Sequence, residues 1–219
     1  DFQYINNRLA NGRRLQGNVF LQQSDTEGLD GDDASWGLGL AYPSSIGWRT
    51  RVGYKVVEEN FNPAMGFVNR SGIEDLSADV GYTYFFNGGL FQTAFAGIDA
   101  QRIDLIDGGL QTEVMNFRLL ELETRSRDSV NFRHIRSQEV VRNAFPIFRQ
   151  PGNEVFIQPG EYEFEENEVQ LSSAGQREFS GSLSYRTGDF FNGVRDNIGA
   201  SFDWNQSRFF RLSLKYDWT

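Results

Sequence analysis

Apolar and polar residues alternate one by one along most of this chain. Near its end Phe210, Leu212, Leu214, Tyr216 and Trp218 share one parity, while Arg211, Ser213, Lys215 and Asp217 share the other. The same alternation runs through Ile198, Ala200, Phe202 and Trp204, through Leu76, Ala78, Val80, Tyr82 and Tyr84, and through Trp36, Leu38, Leu40 and Tyr42. Successive side chains of a strand point to opposite faces, so this pattern predicts strands with one apolar and one polar face. About twelve strands are expected, at 1–7, 14–23, 34–43, 47–58, 74–86, 90–105, 110–125, 129–142, 161–172, 177–188, 196–205 and 208–219. Residues 143–160 are expected to form a long connection. Helical periodicity is not sustained anywhere.

The connections carry a second signal. They alternate short and long: 8–13, 43–46, 87–89, 126–128, 173–176 and 206–207 are short, and 24–33, 59–73, 143–160 and 189–195 are longer, with 106–109 the exception. Bacterial outer-membrane barrels combine short periplasmic turns with longer external loops. The expected fold is therefore an all-β, antiparallel transmembrane β-barrel in the bacterial outer membrane, with residues 1–219 a single domain. Leu38, Leu40, Val80, Tyr82, Leu212 and Leu214 are expected to face lipid. If the short turns are periplasmic, both chain ends fall on the external side. The expectation that follows is a fragment of a longer chain, with further strands on both sides and fourteen or more in all.

Composition sharpens this picture. Twenty Phe, 8 Tyr and 4 Trp suit pleated strands and interfacial aromatic belts. A net charge of −9 argues against nucleic acid. Lys55 and Lys215 are the only lysines among 21 basic residues. Arginine forks bond carboxylates bidentately in confined places, so an interior lined with Arg–carboxylate pairs is expected. Arg49, Arg51, Asp79, Asp203 and Arg211 are the expected lumen-lining charges, since each lies opposite an apolar parity. No apolar run of about 18 residues suggests a transmembrane helix. There is no cysteine, and hence no disulfide framework or thiolate metal site.

Candidate chemistry is sparse. The sole histidine, His134, lies between Arg133 and Ile135 without a Gly-x-Ser-x-Gly elbow, so it reads as a wall or lumen histidine rather than part of a triad. Asp25, Asp30, Asp32 and Asp33 lie in a Gly-containing loop that could offer oxygen ligands to calcium, although the spacing is not that of an EF-hand. The pairs Glu58/Glu59 and Glu165/Glu166 cannot converge on one glycosidic bond, because neighbours on a strand face opposite ways. Phe61, Asn62, Pro63, Met65, Gly66, Phe67 and Arg70 belong to a loop too apolar to lie wholly in water. It is expected to fold inward and constrict or plug the lumen.

The stretch from Glu59 through Phe61-Asn62-Pro63-Ala64-Met65-Gly66-Phe67-Val68-Asn69-Arg70 resembles a known family, as does the region from Phe145-Pro146-Ile147 to Pro159-Gly160-Glu161-Tyr162. Arg177 and the turn Gly188-Asp189-Phe190-Phe191-Asn192-Gly193 also fit. The family is the barrel domain of unknown function found C-terminal to a family-9-type carbohydrate-binding module in large bacterial outer-membrane proteins. The resemblance covers most of the chain and implies an upstream sugar-binding module; it supplies no catalytic residues. Gln158 departs from the small or apolar residue expected before Pro159-Gly160.

These readings point to a non-enzymatic pore, translocation conduit or membrane anchor. Its expected partners are the lipid bilayer, carbohydrate and other outer-membrane or periplasmic proteins. The rivals are a surface carbohydrate-active hydrolase anchored by this domain and a soluble β-sandwich binding module.

Overall fold

A computed structural model describes residues 1–9, 13–64, 66, 68–150, 153–207 and 209–219, with the backbone alone at 148–150 and 153. The chain is all-β: β1 (Phe2–Leu9), β2 (Arg13–Gln23), β3 (Ala34–Tyr42), β4 (Gly47–Val57), β5 (Ile73–Phe85), β6 (Phe91–Leu105), β7 (Leu110–Thr124), β8 (Ser129–Val141), β9 (Phe145–Gln150), β10 (Asn153–Ile157), β11 (Gly160–Ser172), β12 (Phe179–Phe190), β13 (Gly193–Ser207) and β14 (Phe210–Trp218). All except β9 and β10 form one 12-stranded sheet in the order β1-β2-β3-β4-β5-β6-β7-β8-β11-β12-β13-β14. The order ends on β1 and β14, and no ladder joins these two among the described residues. Every ladder with a defined register is antiparallel.

The twelve sheet strands lie within a few residues of the positions the alternation predicts. Two connections differ. Residues 143–160, expected as one long connection, hold β9 and β10 as a separate hairpin. Residues 189–195, expected as a longer one, form a tight turn at 191–192, because Asp189 and Phe190 pair with Val194 and Gly193. Tight turns explain the crisp strand ends. Between β6 and β7, Gly108 and Gly109 both adopt positive φ (100° and 101°), while the Leu105 amide donates to the Gly109 carbonyl. A Cβ disfavours this backbone, so glycine suits both turn positions.

The chain forms two compact units, Asp1–Val80 with Asp99–Val114 and Gln138–Glu161, and Gly81–Ile98 with Met115–Ser137 and Tyr162–Thr219. The division falls within β5, β6, β7 and β8. In the first unit, register puts Val19, Leu38, Tyr54, Trp36 and Val56 on one face, and Asn18, Gly39 and Gly53 on the other. In the second, Leu183, Ala200, Phe202, Leu214 and Tyr216 share a face, opposite Ser182, Ser184, Ser201, Asp203 and Ser213.

Neither unit has a conventional core. Among the described residues no large side chain is fully buried, and Leu38, Leu40, Leu183 and Leu214 are 49%, 53%, 49% and 56% exposed. The largest buried apolar cluster is small: Val57, Phe61, Ile73 and Ile103, with Val68 and Leu105 packed against it.

Candidate functional site: the charged face of the sheet

The polar parity of each unit carries arrays of ion pairs. In the first unit Arg49 Nε lies 3.6 Å from Asp79 Oδ1, and Lys55 Nζ lies 3.4 Å from Asp75 Oδ2. Gln101 Nε2 donates to the same Asp75 carboxylate at 3.0 Å, tying β6 into the array. Arg51 stands between these pairs in sequence, and its guanidinium carries no ion pair or hydrogen bond among the described residues, although Arg49 and Lys55 beside it are ion-paired. The expected residues Arg49, Arg51 and Asp79 therefore occupy one face together, with Arg51 left open.

In the second unit Arg211 Nη2 donates to Asp203 Oδ1 at 2.8 Å, and Ser213 Oγ donates to the same oxygen. The alternation alone did not single out a denser cluster in the same unit. Glu166 is 6% exposed and accepts from Arg186 Nε at 3.0 Å, from Arg186 Nη2, and from Arg195 Nη2 at 3.2 Å. Two guanidinium groups offset the cost of burying this carboxylate. A Cβ on Gly188 would strike the backbone of Glu165 and Glu166, so glycine there lets β12 approach the buried acid. The adjacent Glu165 pairs instead with Arg136, Nε to Oε1 at 2.9 Å, so the two glutamates serve different partners. Parity carried that signal: Arg186, Glu166 and Arg195 all lie on polar-face positions.

An aromatic also stands on the polar parity. Phe95 is 7% exposed, lies where a Cβ on Gly81 would sit, and receives the Arg118 guanidinium 4.6 Å from its ring centre. Arginine over a ring face is a favourable cation–π arrangement.

The loop between β4 and β5 covers part of the charged face. Phe61 packs with Val57, Ile73 and Ile103, whose parities match those of Lys55, Asp75 and Gln101. The Asn62 amide donates to Ser24 Oγ at 2.9 Å, and Asn60 Nδ2 donates to the Gly31 carbonyl at 2.8 Å. At the far end Arg70 Nη1 donates to Thr112 Oγ1 at 2.7 Å and to Gln111 Oε1 at 3.3 Å, while its Nη2 lies 3.9 Å from Glu139. Pro63 and Gly66 sit at the middle of the loop, their neighbours in space including each other. Met65 and Phe67 lie outside the described residues.

The remaining candidates are not drawn together among the described residues. No group of three or more His, Asp or Glu side chains capable of holding a metal occurs among the described residues, so Asp25, Asp30, Asp32 and Asp33 are not gathered for calcium. The physical reason is local: Asp33 accepts from Gln23 Nε2 at 3.1 Å, and the Asp32 carbonyl accepts from the Asn60 amide. His134 Nδ1 lies 3.0 Å from Asn167 Oδ1, and its ring is 5.9 Å from that of Phe117, on the parity of Val130 and Phe132. No acid orients it and no nucleophile meets it in these contacts.

Fold and site thus define a class: an all-β protein built on one antiparallel meander, with an exposed apolar face and an ion-paired polar face. No family model, no curated protein and no solved structure matches the chain.

Proposed function

We propose that this chain is part of a membrane-embedded β-barrel wall of the bacterial outer-membrane type, acting as a pore, translocation conduit or membrane anchor. One observation carries the reading: much of one face is exposed apolar surface, including Leu38, Leu40, Val80, Tyr82, Leu183, Phe202, Leu214 and Tyr216. A water-soluble antiparallel sheet buries such a face against a second layer, because each large apolar side chain left in water forgoes roughly 1.5–3 kcal/mol. Lipid removes that penalty without a second layer.

The placement of tryptophan supports the same reading. Trp36, Trp48, Trp204 and Trp218 all have apolar-face parity. Trp48 lies at the start of β4, and Val56, the register partner of Trp36, lies near its end. The span from 48 to 56 is about 27 Å along the strand, or about 21 Å normal to a membrane at a tilt of about 40°. That is close to the apolar band of about 25 Å typical of such barrels, with amphipathic rings at both interfaces. On this reading the ion pairs line an aqueous lumen and the β4–β5 loop narrows it. The sugar-binding module implied by the family resemblance would be held at the membrane by the barrel.

The test is fluorescence quenching after folding into vesicles. Lipids brominated along their acyl chains should quench the four tryptophans strongly, and a water-soluble quencher should reach them poorly. Good solubility without detergent, with tryptophans open to the aqueous quencher, would instead indicate a soluble sheet.

A further inference from the structure

The polar face of the first unit contains a trench for which the ion-pair arrays give no reason. On that face β3 presents only small residues, Ser35, Gly37, Gly39 and Ala41, between longer side chains on β2 and β4. Three rows cross it in register. Gln3 pairs with Asn18, Asn18 with Gly39, and Gly39 with Gly53. To one side Phe20 pairs with Gly37 and Gly37 with Lys55; to the other Gln16 pairs with Ala41 and Ala41 with Arg51. Strands lie about 4.8 Å apart, so the backbone of β2, which carries Gln16 and Asn18, runs about 10 Å from that of β4, which carries Arg51 and Lys55, across a floor of small residues.

The glycines make room that side chains partly take up. A Cβ on Gly37 would come within 2.6 Å of the Phe20 ring, and one on Gly39 would strike the Asn18 amide. Ring and amide therefore come close over the two glycines, and an open cavity of about 450 Å³ lies beside them. That volume is within the roughly 300–1,000 Å³ usual for small-molecule sites.

The lining has a definite chemistry. Gln3, Gln16 and Asn18 each offer a donor and an acceptor, which suits hydroxyl groups that also do both. Phe20 and the glycine floor offer an apolar, flat flank for a C–H surface. Lys55 is held by Asp75, whereas the exposed Arg51 fork is uncommitted, leaving the trench with one open cation. A free guanidinium matches a carboxylate bidentately.

We propose that this trench binds an acidic saccharide, its hydroxyls on the β1–β2 amides and its carboxylate on Arg51. The proposal rests on the reading of this face as the aqueous one and names the class of solute that face would hold. It is tested by isothermal titration of the detergent-solubilised, folded chain, which needs no bilayer and is separate from the quenching experiment. The probes are a trimer of galacturonate and, as a neutral counterpart, maltotriose.

Saturable binding of the uronate is expected, at least about tenfold tighter than maltotriose. Arg51→Gln should weaken uronate binding by about tenfold or more and leave maltotriose unaffected, since charge-assisted bonds are roughly twice as strong as neutral ones. Arg127→Gln, at an exposed turn, should change neither. Gly39→Val, with its fold checked by circular dichroism, should abolish both by displacing Asn18 into the cavity. Absence of uronate binding, equal binding of the two saccharides, or an Arg51→Gln protein that binds like the parent would each overturn the proposal. Quenching that fails while titration succeeds would remove the membrane reading and leave the trench.

Discussion

Asp128, in the short turn between β7 and β8, holds that turn to a neighbouring one. Its carboxylate accepts from the Ala174 amide at 3.1 Å, from Arg177 Nη2 at 2.7 Å and from Ser126 Oγ at 2.9 Å. The Ala174 amide, and after it the Arg177 guanidinium, hold the carboxyl below its ordinary pKa of 3.8. Bonds to the charged form favour it. Because the folded value is depressed, the stabilisation is fully present above the unfolded value and fades as pH falls through the folded one. Asp128→Asn should therefore lower stability at neutral pH, and its deficit should shrink below about pH 4. Unfolding in urea across pH 2–7 measures this, and a deficit independent of pH would contradict it. A second test at this scale uses adjacent residues of β14. Arginine at a bilayer midplane costs on the order of 2–4 kcal/mol on the lipid face of a barrel. Leu214→Arg should thus impair folding into vesicles far more than Ser213→Arg, which lands beside Asp203. Equal impairment would argue against a lipid-facing β14.

At the scale of elements, the strands were legible because period-2 alternation has no competitor in this chain. Even the polar stretches 110–125 and 129–142 formed strands β7 and β8, their charged positions absorbed by pairs such as Arg102 with Glu113 and Arg133 with Glu168. The β9–β10 hairpin was hidden by Pro146 and by Pro151-Gly152, which read as connection. Its ladder passes from Val155↔Phe148 to Phe156↔Pro146, skipping Ile147. A bulge beside a proline in an isolated two-stranded ribbon breaks the alternation that a sequence reading depends on. The candidate site was legible as parity but not as pairing: Arg49, Asp79, Asp203 and Arg211 could be placed on a face, whereas the burial of Glu166 depends on Gly188 and on the register of the two strands that follow. The apolar content of the β4–β5 loop signalled that it packs against something. Phe61→Ala should cost roughly 3 kcal/mol locally, the low end for a buried phenylalanine, because its cluster is small. Limited proteolysis within 58–72 should accelerate while the melting of the sheet is nearly unchanged; unaltered cleavage would show that Phe61 does not pin the loop.

For the molecule as a whole, the proposal makes bilayer thickness a controlling variable. The Trp48–Trp36 span projects to about 21 Å, so mismatch grows as acyl chains lengthen, at fractions of a kcal/mol per Å. Folding yield should be highest in vesicles of short-chain lipid and fall steadily in longer ones. A yield indifferent to chain length would count against a spanning sheet. The alternation itself has a consequence before any folding occurs. Because apolar residues come one at a time, the extended chain offers no continuous apolar segment of the length that arrests a polypeptide in a membrane. Its mean hydropathy is −0.50. To a secretion channel such a chain is an ordinary polar cargo: it can be threaded entirely through one membrane and become amphipathic only when its strands pair beside the next. On the proposed reading, the side chains that would meet lipid are concealed from the first bilayer by nothing more than their spacing.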